Sequence, residues 1–253
     1  MVDITEPVFD AHFHVVDPSF PLIANDGYVP DPFTVTDYCS SVGSLGVSGG
    51  AVVSGSFQGF DQQYLVCALE ALGPGYVGVT QLPVDVSPGR IRQLDAAGVR
   101  AVRFNLYRGG SAPVGELDTL ARRVHEVAGW HSELYVDAAD LPDLAPTLQA
   151  LPQVSIDHLG MSDDVTGTLL DLVAGGVVVK ATGFGRIHHT DPDALMAHIV
   201  NVNPSGLVFG TDLPSTRART PFQPGDILRV AEAVGGEHAS NVLSHNARRL
   251  YRL

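Results

Sequence analysis

Two hydrophobic patterns alternate along the chain in a regular rhythm. Short, nearly apolar runs rich in β-branched residues occur at 8–15, 50–57, 76–82, 99–106, 133–138, 154–160, 177–184 and 207–214. Runs without polar alternation are what parallel strands covered on both faces require. Between them, residues 35–45, 61–72, 88–97, 116–128, 141–151, 164–174 and 192–200 carry apolar side chains at helical spacing. Several of these stretches stop at Gly73, Gly98, Gly129 or Gly175, the residue best suited to closing a helix. Two further helices, 226–234 and 240–250, close the chain. Eight strand–helix units in 253 residues predict a single α/β domain, 1–253, folded as a (β/α)8 TIM barrel. A doubly wound open sheet would want a glycine-rich phosphate turn after its first strand, and His12-Phe-His14 stands there instead. Gly183-Phe-Gly185 lacks a third glycine and reads as turn chemistry.

Composition narrows the function. Hydrophobic residues make up 45% and charged residues 17%, the balance of a globular chain. The formal net charge of −13 argues against nucleic acid or an anionic membrane as partner. No leader pattern and no run of membrane-spanning length is evident, so a cytoplasmic protein is expected. Cys39 and Cys67 lack a metal or disulfide spacing and are expected to be small buried thiols in a reducing compartment. The connection over 16–34, rich in Pro, Asp and Gly, is long enough to serve as a binding loop or lid.

A barrel of this kind carries its active site at the C-terminal ends of its strands. Those ends supply a consistent set of polar residues. The first strand offers His12 and His14, two apart and so on one face, with Asp10 one step behind them. The second offers Ser54 and Ser56, and the fourth Arg103 and Asn105, with Arg108 in the following loop. Tyr135 and Asp137 end the fifth strand, Asp157-His158 the sixth, Lys180, Thr182 and Arg186 follow along the seventh, and Asp212 ends the eighth. Asp157 and His158 are adjacent, so they are expected to face opposite ways, with Asp157 structural. Lys180 lies mid-strand and reads as the counter-charge of a barrel carboxylate, outside the site. Arg103, Arg108 and Arg186 suit a carboxylate-bearing substrate, since guanidinium forks pair bidentately with carboxylates.

Six motifs in order, Asp10-Ala-His-Phe-His14, Gly98-Val-Arg-Ala-Val-Arg-Phe-Asn105, Ile156-Asp-His-Leu-Gly160, Val179-Lys-Ala-Thr-Gly-Phe184, Gly210-Thr-Asp-Leu-Pro214 and Asn246-Ala-Arg-Arg-Leu-Tyr251, resemble the amidohydrolase-2 group of the amidohydrolase superfamily. Within it the chain resembles the 2-pyrone-4,6-dicarboxylate lactonase-like and sugar-lactonase branch, essentially end to end. The resemblance implies a (β/α)8 barrel that hydrolyses a cyclic ester of a carboxylated or sugar-derived substrate. It assigns Asp212 as general base, places His12, His14 and His158 around the carbonyl, and matches Tyr28, Ser56 and Tyr135 to substrate contacts.

Binuclear members of the superfamily carry a lysine or glutamate ending the fourth strand and a histidine ending the fifth. Arg103-Phe-Asn105 and Tyr135-Val-Asp137 stand at those places, which argues against two metal ions. One divalent ion, zinc first, on His12, His14 and Asp212 is one expectation. Hydrolysis without metal, as the resembling branch allows, is the other. Two different readings stay open: a metal-dependent decarboxylase on the same fold, which would want a further histidine ligand, and a catalytically silent barrel that binds an acidic metabolite. The expected partner is a small anionic substrate, and a homo-oligomer is left open.

Overall fold

The computed structural model describes residues 6–164 and 166–253. The first five residues of the expected domain, and Val165 of the expected sixth helix, lie outside the described residues. Eight strands form one parallel sheet in sequential order: β1 (Val8–Phe13), β2 (Val47–Val53), β3 (Tyr76–Thr80), β4 (Val99–Asn105), β5 (His131–Tyr135), β6 (Val154–Ile156), β7 (Val178–Ala181) and β8 (Leu207–Phe209). The ring closes just past β8, where Asp212 N donates to His12 O and His14 N to Leu213 O, both at 2.7 Å. Two backbone hydrogen bonds therefore seal the barrel at the very residues expected to form its site. The architecture is the (β/α)8 barrel.

The helices of the ring are α1 (Val35–Val42), α2 (Gln63–Leu72), α3 (Pro88–Ala96), α4 (Leu117–Ala128), α5 (Leu141–Ala150), α6 (Thr166–Ala174), α7 (Pro192–Val202) and α8 (Gly225–Val234). Their starts follow local chemistry. Thr34 and Asp37 exchange hydrogen bonds in a capping box at α1. Ser87 and Asp191 cap α3 and α7, each followed by a proline whose missing N–H is needed by no partner there. At the far end of α4, Gly129 turns the chain with φ +68°. The closing helix expected over 240–250 starts earlier, at Gly236, and opens into a wide turn over Asn241–His245.

Apolar side chains form two shells. Phe9, Ala11, Val53, Val79 and Val208 fill the lower barrel, and Leu250, the last residue of the terminal helix (Asn246–Leu250), and Tyr251 just after it plug it from below. Phe13, Tyr38, Leu65, Phe104 and Trp130 belong to the outer shell between strands and helices. Among the described residues, no helix is long and apolar enough to cross a membrane.

Four details depart from expectation, each for a physical reason. The strands end earlier than the apolar runs, because the chain leaves the ladder in left-handed turns at His158 (φ 52°), Leu159 (φ 51°) and Asp212 (φ 59°). Asp10 is not on the face of His12 and His14. The β1–β2 register slips between Asp10 and Phe13, so Asp10 accepts from Tyr38 of α1 and from Thr211 while His12 turns inward. Asp157 and His158 do not face opposite ways, since the turn at His158 brings both side chains to His12. Cys39 and Cys67 are exposed rather than buried. The buried faces of their helices belong to Tyr38 and Val42 in α1 and to Tyr64, Leu65, Ala68 and Leu69 in α2.

Candidate active site

The four expected catalytic residues converge at the C-terminal mouth, His12 on β1 with His14 just past its end, His158 just past β6 and Asp212 just past β8. His14 Nδ1 lies 2.7 Å from Val53 O, an acceptor only, so Nδ1 carries the hydrogen and Nε2 faces the site. His14 Nε2 and His12 Nε2 stand 3.7 and 3.8 Å from Asp212 Oδ1. His158 sits 2.7 Å from Thr182 Oγ1 through Nδ1, and its ring lies 4.9 Å from that of His12. Three buried atoms meet here without a hydrogen-bond partner: His12 Nε2, His158 Nε2 and Asp212 Oδ1. Buried polar atoms are rarely left so, and unpaired ones cost free energy unless a ligand completes them.

Glycines let the strands come this close. A Cβ on Gly210 would sit 2.6 Å from His12 N, and one on Gly183 2.7 Å from His158 Nδ1. Gly183 also has φ +64°, and a Cβ on Gly185 would overlap Thr220 O, which accounts for Gly183-Phe-Gly185 as turn chemistry.

Electrostatics sort these groups. Burial holds His12 down to about 4, against the opposing pull of Asp157. It pushes His158 well below the usual imidazole range, with Asp212 opposing. Both rings are therefore neutral near pH 7. Burial alone would raise Asp212, but Arg186 and, behind it, His158, His14 and His12 together outweigh burial and hold the carboxyl far below the carboxylate range. Arg186 places Nη2 at 2.6 Å and Nε at 2.8 Å from Asp212 Oδ2. One Asp212 oxygen is thus spent on the guanidinium and the other is bare.

The six residues expected to hold substrate, Tyr28, Ser56, Arg103, Arg108, Tyr135 and Arg186, all line one narrow cleft above His14. They differ in how committed they are. Arg103 gives Nε and Nη2 to Asp157 Oδ2 at 3.1 and 2.8 Å and Nη1 to Ser54 O at 2.8 Å. Its fork is occupied by the protein, as is that of Arg186. Arg108 rests 5.1 Å from the Tyr107 ring and, among the described residues, pairs with no carboxylate. Arg217, not anticipated from the sequence, stacks 4.4 Å from the Tyr28 ring and donates to Asn25 O. Its signal was present but faint: a basic residue five positions after Asp212 in the same loop.

The donor set fits one divalent ion. His12, His158 and Asp212 offer ligand atoms within 4.8 Å of one another, all three unpartnered and buried. His158 stands in this group where His14 was expected. His131, the histidine of β5, lies at the opposite end of that strand, 3.1 Å from Glu133 Oε1, and takes no part.

A parallel barrel whose strand ends gather histidines, an ionised aspartate and arginines is the frame of a metal- or base-assisted hydrolase. The chain matches the amidohydrolase family over residues 9–253 and belongs to it. A 2-pyrone-4,6-dicarboxylate hydrolase of Comamonas testosteroni is 34% identical, the alignment covering 96% of this chain and 89% of that one. A 4-sulfomuconolactone hydrolase of Rhizobium radiobacter is 29% identical over 98% of this chain and 91% of its own length. A solved Pseudomonas putida structure, described as a 2-pyrone-4,6-dicarboxylic acid hydrolase, superposes with a TM-score of 0.80 at 27% identity, covering 98% of both chains. The chain is accordingly a hydrolase of the amidohydrolase family with lactone hydrolases as relatives.

Proposed function

We propose that this protein is a lactonase that opens a cyclic ester bearing carboxylates, with Asp212 as the general base. The observation that carries the reading is the trio of unpartnered buried atoms, His12 Nε2, His158 Nε2 and Asp212 Oδ1, at the floor of an arginine-lined cleft. The names of the two lactone hydrolase relatives support the reaction class.

Water held at Asp212 Oδ1 gives one proton to that oxygen as its own oxygen bonds the acyl carbon. The carbonyl π electrons move to oxygen, giving an oxyanion that His158 can meet with Nε2–H when its Nδ1 accepts from Thr182 Oγ1. Collapse breaks the ring C–O bond, and Asp212 returns the proton to the departing oxygen. The product is the ring-opened acid, and water is the only co-reactant. Arg186 keeps Asp212 ionised and aims its bare oxygen, while Arg108 and Arg217 supply guanidinium groups for substrate carboxylates. His12, His158 and Asp212 are the residues that would hold a zinc or other divalent ion, which when bound supplies Lewis-acid polarisation.

The test is ring opening of 2-pyrone-4,6-dicarboxylate by the purified protein, followed by loss of pyrone absorbance and release of one acid equivalent, before and after chelation. Turnover without gas release is expected. Carbon dioxide from an accepted substrate would overturn the hydrolase mechanism in favour of decarboxylation, and binding without turnover would favour a silent barrel.

A further inference from the structure

Beneath the catalytic atoms lies a second cluster that ring opening does not use. His12, Glu133 and Asp157 also present ligand atoms within 4.8 Å of one another, the spacing of a cation cage. The cage is filled. Lys180 Nζ lies 2.6 Å from Glu133 Oε2, 3.1 Å from Ala11 O, 3.4 Å from His12 Nδ1 and 3.5 Å from Asp157 Oδ1. Lys180, Glu133, Asp157 and His12 are all inaccessible to solvent.

We propose that the Lys180 ammonium is a built-in cation that occupies the His12–Glu133–Asp157 cage in place of a metal ion and holds the His12 ring in the site from below. Charge balance supports this. Glu133 and Asp157 are two buried carboxylates, and Lys180 and Arg103 are the two cations bonded to them, so the layer is neutral without an added ion. Geometry supports it too. An ammonium has three hydrogens and no lone pair, and three oxygens face it, Glu133 Oε2, Ala11 O and Asp157 Oδ1. A divalent ion cannot enter while Nζ is there, for want of both space and uncompensated negative charge. The barrel is thereby limited to one ion, at His12, His158 and Asp212. His12 Nδ1 stands 3.3 Å from Asp157 Oδ1 and directs its hydrogen at that carboxylate, which leaves the Nε2 lone pair for the site. Lys180 is then a positioning residue, acting through His12.

Metal counts test the first half. After zinc loading and desalting, the native protein should hold at most one ion per chain by elemental analysis. Lys180→Ala, which empties the cage, should hold one more than the native protein. Two ions per native chain, or a folded Lys180→Ala with no added ion, would overturn the proposal. Glu133→Gln combined with Lys180→Met fills the same volume without charge. It should gain no ion, keep KM, and lose kcat by about 10–100-fold, the usual effect of removing a group that orients a site histidine. A native kcat there would remove the positioning role. Should both variants fail to fold, the native protein still decides: the Lys180 ammonium should give a slowly exchanging ¹⁵N resonance with a through-space contact to the His12 ring, and a freely exchanging ammonium would overturn the cage. The metal count is independent of the substrate, whereas the kinetic comparison rests on the lactonase reading, so the two can fail separately.

Discussion

The barrel interior holds two polar layers built from the same kinds of residue and satisfied to different degrees. In the lower layer, Glu133 is bonded to Lys180, His131 and Tyr251, and Asp157 Oδ2 takes two bonds from Arg103. Asp157 Oδ1 makes no hydrogen bond but has the Lys180 ammonium at 3.5 Å and His12 Nδ1 at 3.3 Å. In the upper layer, His12 Nε2, His158 Nε2 and Asp212 Oδ1 have no partner. His12 belongs to both, Nδ1 below and Nε2 above. The difference separates scaffold from chemistry. A charge whose partners are all supplied by the chain holds the site in shape, and one left incomplete is available to substrate, water or a metal ion. Burial alone does not tell the two apart, since every one of these residues is buried.

The comparison breaks first at Asp212. Asp212→Asn keeps the shape and removes the basicity, so kcat should fall by about 10²–10⁴-fold, the usual worth of a positioned base. KM should change little, because Arg108, Arg217 and Ser56 are untouched. Native turnover in that variant would move the base elsewhere.

Arg103 and Arg108 sharpen the contrast between committed and available arginines. From sequence, both are substrate forks, and Arg103→Met should raise KM with the fold intact. The structure changes that expectation for Arg103. Its removal leaves Asp157 buried and unpaired, a loss of about 3–5 kcal/mol of stability. Thermal or urea unfolding should show it before kinetics do. Arg108→Met should leave unfolding unchanged and raise KM for a dicarboxylate, by about 1.5–3 kcal/mol if one charge-assisted bond is lost. Equal stability of the two variants would erase the distinction between them.

The fold was legible almost entirely, because alternating apolar runs and helical spacing report burial, and burial is set locally along the chain. The site was legible as a set of strand ends, which the barrel then had to gather. Partnership was not legible. Nothing in the spacing of Arg103 and Asp157, 54 residues apart, says that the one is spent on the other. The inward turn of His158 and the slip that removes Asp10 from the face of His12 arise from backbone states at single residues, and strand periodicity assumes those away. Arg217 escaped notice because a loop residue has no periodicity to place it.

A smaller effect concerns pH. Asp212 is held below the carboxylate range, and Arg186 is the largest of the groups that together outweigh its burial. The acid limb of kcat/KM, which reports protonation of the base, should therefore fall below the usual carboxylate range, leaving a flat profile at neutral pH. Arg186→Met removes the largest of these lowering influences, so the limb should move upward. A limb that stays in place would show that some other group sets it.

The finest test lies in two glycines of similar backbone and different neighbours. Gly176 (φ +101°) has open space where a Cβ would go, while Gly183 (φ +64°) has His158 Nδ1 at 2.7 Å from that point. Alanine at either position is forced into a conformation that costs about 1–2 kcal/mol for an L-residue. Both variants should therefore lose stability, read as a lower Tm, and Gly183→Ala the more, because its Cβ also meets His158. Only Gly183→Ala should also lose kcat, since the added methyl displaces His158 from the bare oxygen of Asp212. The ratio of kcat between the two variants then measures how much the position of His158 matters, with the backbone strain common to both cancelled. Equal kcat would place His158 in the scaffold, among the residues whose partners the chain itself supplies.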